Sequence, residues 1–167
     1  MIRRRLLVNT TFLAPVALLV ACALNPTSPN TPVISQAALD ANLIATGLEA
    51  GIAQVTAEQT TPSPAFTAAV AKLNGYLTTI QNDAAQVAAA TATPPTSTLN
   101  EIETDAKAIL TVVSPFLPDG SLILPIFTAA IDLGADLLGT AGASVTPRPG
   151  AYSAQQSRAI LAAARKP

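Results

Sequence analysis

Few residues of this chain have side chains suited to chemistry, and those that are missing exclude several reaction types at once. There is no His among the 167 residues, and the single Cys is Cys22. A Ser-His-Asp triad, a Cys-His pair and a Cys/His zinc site all need residues that this chain lacks. One cysteine cannot form an internal disulfide. We therefore expect no enzymatic activity, no cofactor and no metal site.

The remaining candidates are carboxylates, tyrosines and one glycine-containing run. Asp132 and Asp136 are four residues apart, so a helix would place them on one face, where paired carboxylates can share a proton or hold a hard cation. Because no other ligand type lies nearby in the sequence, we expect a solvated pair instead. The run 134–140 lacks the Lys-Ser/Thr pair of a phosphate-binding loop. Tyr76 and Tyr152 are expected to be packing residues.

The N-terminal segment has the three-part layout of a secretory signal. Arginines at positions 3–5 precede an apolar stretch from Leu6 to Val20, and small residues follow it. The alternative is a permanent transmembrane anchor, because the run Leu6–Leu24 approaches the length that spans a bilayer. Three consecutive polar residues and Pro15 interrupt that run. We therefore predict a signal peptide over residues 1–21.

The end of this segment resembles a motif of exported bacterial proteins. Leu19, Val20, Ala21 and Cys22 are similar to the lipobox of bacterial lipoproteins. In that family a diacylglycerol is attached to the cysteine sulfur, and signal peptidase II then cuts before the cysteine. The resemblance covers only the first 22 residues. It implies that Cys22 becomes the first residue of the mature chain and carries fatty acyl chains such as palmitate, which anchor the protein in a bacterial membrane.

In the family that the motif resembles, the residue after the cysteine influences which membrane the lipoprotein is delivered to. In Gram-negative members of the family, a residue other than Asp at this position usually allows transfer to the outer membrane. Ala23 fits that rule, so the resemblance implies a cell-envelope protein on the outer membrane, facing the periplasm. The run Ala21-Cys22-Ala23 also fits cleavage by the ordinary signal peptidase, which would remove Cys22 and release a soluble protein. Both cleavages remain open.

Residues 22–34 combine the cysteine with a Pro-rich linker. Pro26, Pro29 and Pro32 recur at every third residue, which is the period of a polyproline II helix. A PxxP ligand for a recognition module is one interpretation. Directly after a lipidation site, we expect a spacer that holds the body away from the membrane.

The charges divide the rest of the chain into an acidic body and a basic tail. Residues 35–141 hold all ten acids and two of the lysines, and residues 142–167 hold no acid. Nine basic residues against ten acidic ones give no basic excess, so we expect no nucleic-acid partner. The tail is predicted either to dock on its own body or to meet an anionic envelope polymer. Its candidate contact residues for the polymer are Arg158, Arg165 and Lys166.

The hydrophobic pattern is helical throughout the body and does not alternate as a strand would. The first helix is predicted over Ser35–Gln59, with glycines such as Gly47 and Gly51 allowing another helix to approach closely. The second is predicted over Pro64–Ala90, with Ser63 as its N-cap. Its apolar residues are spaced by four and three residues. They are Phe66, Val70, Leu73, Leu77, Ile80, Ala84 and Val87.

Two further helices and a short tail helix complete the expected fold. The third helix is predicted to open with a capping box at Thr98–Glu101, which makes Glu101, Glu103 and Asp105 solvated helix-start charges. The fourth runs from Pro125 to between Gly139 and Gly142. It is apolar on nearly every side around Ile126–Leu138, so it is either the central core helix or a surface for lipid, a partner or self-association.

The tail helix follows Ser153, which forms a capping box with Gln156, and it ends near Arg165. The sequence thus predicts an all-α fold, a three- to four-helix up-down bundle over residues 35–141. A Pro-rich N-terminal linker precedes the bundle, and a linker with a short basic helix (142–167) follows it.

These features favour a membrane-tethered envelope protein with a structural or interaction role and no catalysis. One alternative is a small phage- or prophage-type lipoprotein that perturbs membranes or acts in lysis, a similarity of type only. The other is a soluble periplasmic bundle that binds a ligand, which a cavity lined by the first and fourth helices would favour.

Overall fold

The computed structural model describes residues 31–118 and 121–166, with side chains from Gln36 onward. These residues form five α-helices and one 3-10 turn, with no β-strand among them. The all-α prediction is therefore confirmed. The helices are α1 (Thr31–Glu58), α2 (Pro64–Ala89), α3 (Thr96–Val113), α4 (Leu124–Thr140) and α5 (Ala154–Ala164), and the 3-10 turn Ser114–Phe116 follows α3.

Helix α1 begins at Thr31, four residues before the expected start at Ser35. A helix can include Pro32 in its first turn because the N–H groups there have no intrahelical partner. The last four residues of the linker predicted over 22–34 are thus helical. One apolar stripe of α1 faces the core, since Ile44, Leu48, Ile52 and Val55 are buried, whereas Leu39 beside that stripe is exposed.

Helix α2 matches its prediction closely. The Ser63 hydroxyl oxygen accepts a hydrogen bond of 3.1 Å from the backbone N–H of Phe66, and Pro64 occupies the first turn. Six of the seven apolar residues of the predicted seam are buried, and Val70 is half-buried against the core. The spacing of four and three residues therefore identified the face that packs on the neighbouring helices.

Helix α3 begins at Thr96, and the capping box predicted at Thr98–Glu101 is wrong. The N-cap position is Pro95, which forms no side-chain capping bond. Because the helix extends back to the prolines, Thr98 has helical geometry and is buried rather than placed at the cap. The acids of α3 consequently lie beyond its first turn, where the helix dipole acts more weakly.

The helices form an up-down arrangement in which each contacts the next and α4 returns to α1. Rings from the start of α2 and the end of α3, Phe66 and Phe116, meet edge to face with centroids 5.1 Å apart. The start pole is defined as the end of the bundle at the start of α1, with turn 90–95 and the end of α4. The far pole carries turn 59–63 and the segment between α3 and α4.

Helix α5 lies in the groove between α1 and α4 and contacts both. It runs parallel to α1, because Arg158 meets Asp40 while the Gln54 side chain donates to the carbonyl oxygen of Ala164. Ser153 and Gln156 form the predicted capping box at its start. A capped start and a groove of two larger helices together stabilise a helix of only 11 residues that would be marginal alone.

Candidate functional site

The predicted lipidation site lies outside the part of the chain that the structure describes. Cys22 and the other lipobox residues Leu19, Val20 and Ala21 lie outside the described residues, as does the signal peptide over 1–21. The first described residue, Thr31, follows Cys22 by nine positions and lies at the start pole.

The basic tail docks on the acidic body through one buried ion pair near the start of α1. The guanidinium of Arg158 binds Asp40 through two hydrogen bonds of 2.7 Å, from Nε to Oδ1 and from Nη2 to Oδ2. The Asp40 side chain is only 4% exposed, and its Oδ1 also accepts a 2.9 Å bond from Gln36 Nε2. This hydrogen bonding to Asp40 holds the pKa of Arg158 above its ordinary value.

A second buried carboxylate fixes the linker that precedes α5. Asp132 of α4 lies 3.1 Å from Arg148 Nη2 and accepts a 2.9 Å hydrogen bond from the backbone N–H of Tyr152. The expectation of a solvated Asp132–Asp136 pair is therefore wrong for Asp132, which is buried, while Asp136 is exposed. The hydrophobic pattern of α4 could not predict this contact, because Arg148 and Tyr152 lie outside the four helices predicted for the body.

Glycines of α1 shape the surface against which α5 and α4 pack. A Cβ atom on Gly47 would lie 2.5 Å from Cδ2 of Leu161, and one on Gly51 would lie 3.1 Å from the Phe127 ring. The expected close approach of other helices at these two glycines is confirmed. Leu161 is fully buried in the notch that Gly47 leaves open, so it is the main apolar contact of the tail.

A shallow pocket of about 280 Å³ opens beside the Asp40–Arg158 ion pair. It is lined by α1, α4 and α5, including Gln36, Asp136 and Thr140. A cavity between the first and fourth helices was the feature expected of a ligand-binding bundle. This one is slightly smaller than the usual ligand site of about 300–1,000 Å³, and it opens to solvent.

A larger pocket of about 440 Å³ lies between the 145–154 segment and helices α3 and α4. One wall carries Glu103, whose Oε1 is 2.7 Å from Lys107 Nζ one helical turn away. Glu103 was expected to be a solvated helix-start charge but is 8% exposed, because Gly134 of α4 leaves room for its stem. The pocket is therefore polar on the α3 side and formed largely by residues 145–154 on the other.

Another buried carboxylate lies between α2 and α3 without a matching cation. Asp83 is 4% exposed; Gln86 Nε2 donates a 3.2 Å bond to its Oδ1, whereas the buried Oδ2 has no hydrogen-bond partner. Burial, and then the charges of Glu101 and Asp105, raise the pKa of Asp83. Burial followed by the charge of Glu101 also raises the pKa of Asp105. Glu101 is exposed, as expected for it.

Helix α4 contributes chiefly to the core. Nine of its seventeen residues are buried, and it contacts α1, α3 and α5. Two roles were predicted for Ile126–Leu138, and most of this segment packs in the core of the bundle. Its first residue, Leu124, is 44% exposed, and Leu122 just before it is 90% exposed at the far pole.

The three cations expected to contact an envelope polymer differ in their exposure in the fold. Arg158 is bound to Asp40 and half-buried, whereas Arg165 and Lys166 are exposed at the end of α5. Tyr76 and Tyr152 are partly buried against the core, as expected for packing residues. Docking of the tail on the body, one of the two predicted outcomes, is thus present for Arg148 and Arg158.

Within the described residues, no cluster of three potential metal-ligating side chains occurs. None of the helices in that part of the chain has the length and apolarity needed to cross a membrane.

Asp40 holds the tail, yet it is not among the site residues predicted from the sequence. A signal was present, because Asp40 lies three residues after Ala37 and four before Ile44, on the buried face of α1. An acid on an apolar stripe needs a cation or a hydrogen-bond donor.

The chain matches no protein-family model, and neither the curated proteins nor the solved structures contain a significant match to it.

Proposed function

We propose that this chain is a lipid-anchored cell-envelope protein that serves an interaction role without catalysis. Cys22 would carry the acyl chains, and the bundle would stand on the outer membrane with its start pole toward the lipid. Thr31 follows Cys22 by nine positions, and a fully extended chain over nine residue steps reaches at most about 32 Å. The start pole would therefore remain within that distance of the membrane surface.

The observation that carries the interaction role is the exposure of Leu122 at the far pole. Its side chain is 90% exposed, and Leu124 close to it is 44% exposed, although most large apolar residues of the described body are buried. Both leucines lie at the end opposite the start of α1. An anchor at Cys22 would thus present them away from the membrane, where a protein partner can reach them.

The anchor is tested by comparing the parent chain with the Cys22→Ser variant in a bacterial host. We expect the parent to label with a fatty-acid analogue, to fractionate with membranes and to begin at Cys22 by mass spectrometry. The variant should neither label nor fractionate with membranes. A parent chain that is unlabelled and begins after position 22 would instead identify release by the ordinary signal peptidase.

The interaction surface is tested by placing a photo-crosslinking residue at position 122 or, as a matched control, at position 39. Leu39 is 60% exposed but lies near the start pole. We expect crosslinks to an envelope protein from position 122 alone. Equal crosslinking from both positions, or none from either, would contradict a partner surface at the far pole.

The second candidate, a soluble ligand-binding bundle, draws support from the 280 Å³ pocket beside Arg158. It requires release of the chain rather than acylation. The same mass measurement of the mature N-terminus therefore separates it from the anchored protein.

A further inference from the structure

The docked tail, defined as residues 148–164, has few fully buried side chains. Only Ser157 and Leu161 of α5 are buried, and the two ion pairs to the body join Arg158 to Asp40 and Arg148 to Asp132. The Ser157 hydroxyl is buried without a hydrogen-bond partner. Half-buried Tyr152 and Ile160 add to this packing. A helix of 11 residues with one fully buried apolar side chain and one ion pair of its own still buries less than the core helices do, so it undocks more readily than those helices unfold.

The groove that receives this tail is specific in its chemistry. Its floor offers a buried carboxylate at Asp40 for a guanidinium and, two turns further along α1, a notch at Gly47 for a leucine. Arg158 and Leu161, three residues apart on α5, occupy these two positions. A helix with arginine and leucine at this spacing, next to a small residue such as Ser157, is therefore what the groove recognises.

The hinge between α4 and the docked tail is long enough to redirect the tail. The chain turns at Gly142, where φ is +87°, and the N–H of Ala143 donates to the carbonyl oxygen of Leu138. Residues 142–147 can span about 20 Å when extended. Opening at Gly142 would thus carry the docked tail away from its own groove with both arginines and α5 intact.

We propose that the docked tail exchanges between two copies of this chain, so that α5 of each copy fills the α1–α4 groove of the other. The exchanged dimer forms the Asp40–Arg158 and Asp132–Arg148 pairs and the Leu161 contact between copies, in the same chemistry as within one copy. Since the contacts are identical, concentration and the conformation of the hinge decide between monomer and dimer. The proposal goes beyond the membrane anchor and does not depend on it.

The test uses two charge-reversal variants that are complementary only between copies. Asp40→Arg places a cation in the groove opposite its own Arg158, and Arg158→Asp places an acid opposite its own Asp40. Each variant alone opposes like charges. In a mixture, the groove of each variant matches the tail of the other, so an exchanged heterodimer restores both ion pairs.

Both variants are prepared as full-length chains in detergent with tags of different mass and are examined by native mass spectrometry. We expect the mixture to form a 1:1 heterodimer at least about tenfold more abundant than either homodimer. The double variant Asp40→Arg/Arg158→Asp is the matched control, because its reversed pair can form within one copy. It should behave as the parent chain does at the same concentration.

A second pair of variants tests the apolar contact without changing any charge. Gly47→Phe blocks the groove but keeps a normal tail, and Leu161→Ser spoils the tail but keeps an open groove. Their mixture should form a heterodimer joined by one exchanged tail, whereas neither variant should dimerise alone. Circular dichroism checks that each variant keeps its helix content. If folded variants remain monomeric in both mixtures, tail exchange is wrong.

Discussion

Two packing seams of the bundle bury carboxylates, but only one of them supplies cations. The tail seam is the contact of the docked tail with α1 and α4, and the hairpin seam is the contact of α2 with α3. In the tail seam, Asp40 and Asp132 each bind an arginine that comes from the C-terminal tail. In the hairpin seam, between α2 and α3, Asp83 has one oxygen without a hydrogen-bond partner and is influenced by the negative charges of Glu101 and Asp105. The buried carboxylates of the first seam therefore have cations beside them, whereas ionisation of Asp83 in the second seam is unfavourable.

The difference follows from how the charges are distributed along the chain. Residues 142–167 carry four cations and no acid, and their helix α5 packs in the groove between α1 and α4. The body itself offers only Lys72 and Lys107, and Lys107 is already paired with Glu103. Apart from Glu103, the buried acids of the body that have a cation beside them are therefore those that the tail reaches.

The largest effect should come from Arg158→Ala. This change leaves the buried Asp40 without its cation, which we expect to cost about 2–3 kcal/mol of docking free energy for α5. The loss is limited because the tail can undock and return Asp40 to water. Hydrogen exchange of the α5 amides measures it directly. In an Asp40→Ala background the same substitution should cost much less, and equal costs in both backgrounds would contradict the ion pair.

The next effect compares two glycines on different faces. Gly47→Ala places a Cβ against Leu161 in the tail seam, and we expect it to destabilise the protein by about 1–2 kcal/mol through overpacking. Gly75 of α2 has nothing within 4 Å of a built Cβ, so Gly75→Ala should stabilise by about 0.5–1 kcal/mol through helix propensity. Urea unfolding of both variants measures the difference, and the same sign for both would contradict the close fit of α5.

How far the sequence predicted these seams depends on the range of each contact. The apolar seam of α2 and its Ser63 cap are local signals with fixed spacing, and both are confirmed. The Asp40–Arg158 pair joins residues 118 positions apart, so no periodicity could assign the partner. The capping box at Thr98 failed because a second possible start, directly after Pro95, allowed more residues to join the helix.

The hairpin seam should respond to pH in the direction set by Asp83. Because its pKa is raised in the folded protein, ionisation costs more there than in the unfolded chain. The contribution of Asp83 to stability is therefore highest below the ordinary Asp pKa of 3.8, falls as pH rises from 3.8 to the raised pKa, and stays constant above it. Asp83→Asn removes this loss and should stabilise the protein at pH 7 by about 1 kcal/mol.

The matched control for this change is Asp132→Asn in the tail seam. It removes a paired charge, so it should destabilise the protein at the same pH. Unfolding by urea at pH 3 and pH 7 distinguishes the two variants. Destabilisation by Asp83→Asn at pH 7 would mean that the hairpin seam does not carry an unfavourable charge.

The smallest effect should come from Lys107→Ala, although its ion pair is as short as that of Arg158. The Nζ–Oε1 distance to Glu103 is 2.7 Å, but the Lys107 side chain is 55% exposed and its partner lies on the same helix. We expect a cost of no more than about 0.5 kcal/mol, further reduced at high salt. A loss comparable to that of Arg158→Ala would show that distance, rather than burial and the joining of distant segments, determines what an ion pair contributes. The expected contrast assigns the stabilising role to ion pairs that bind the tail to the body.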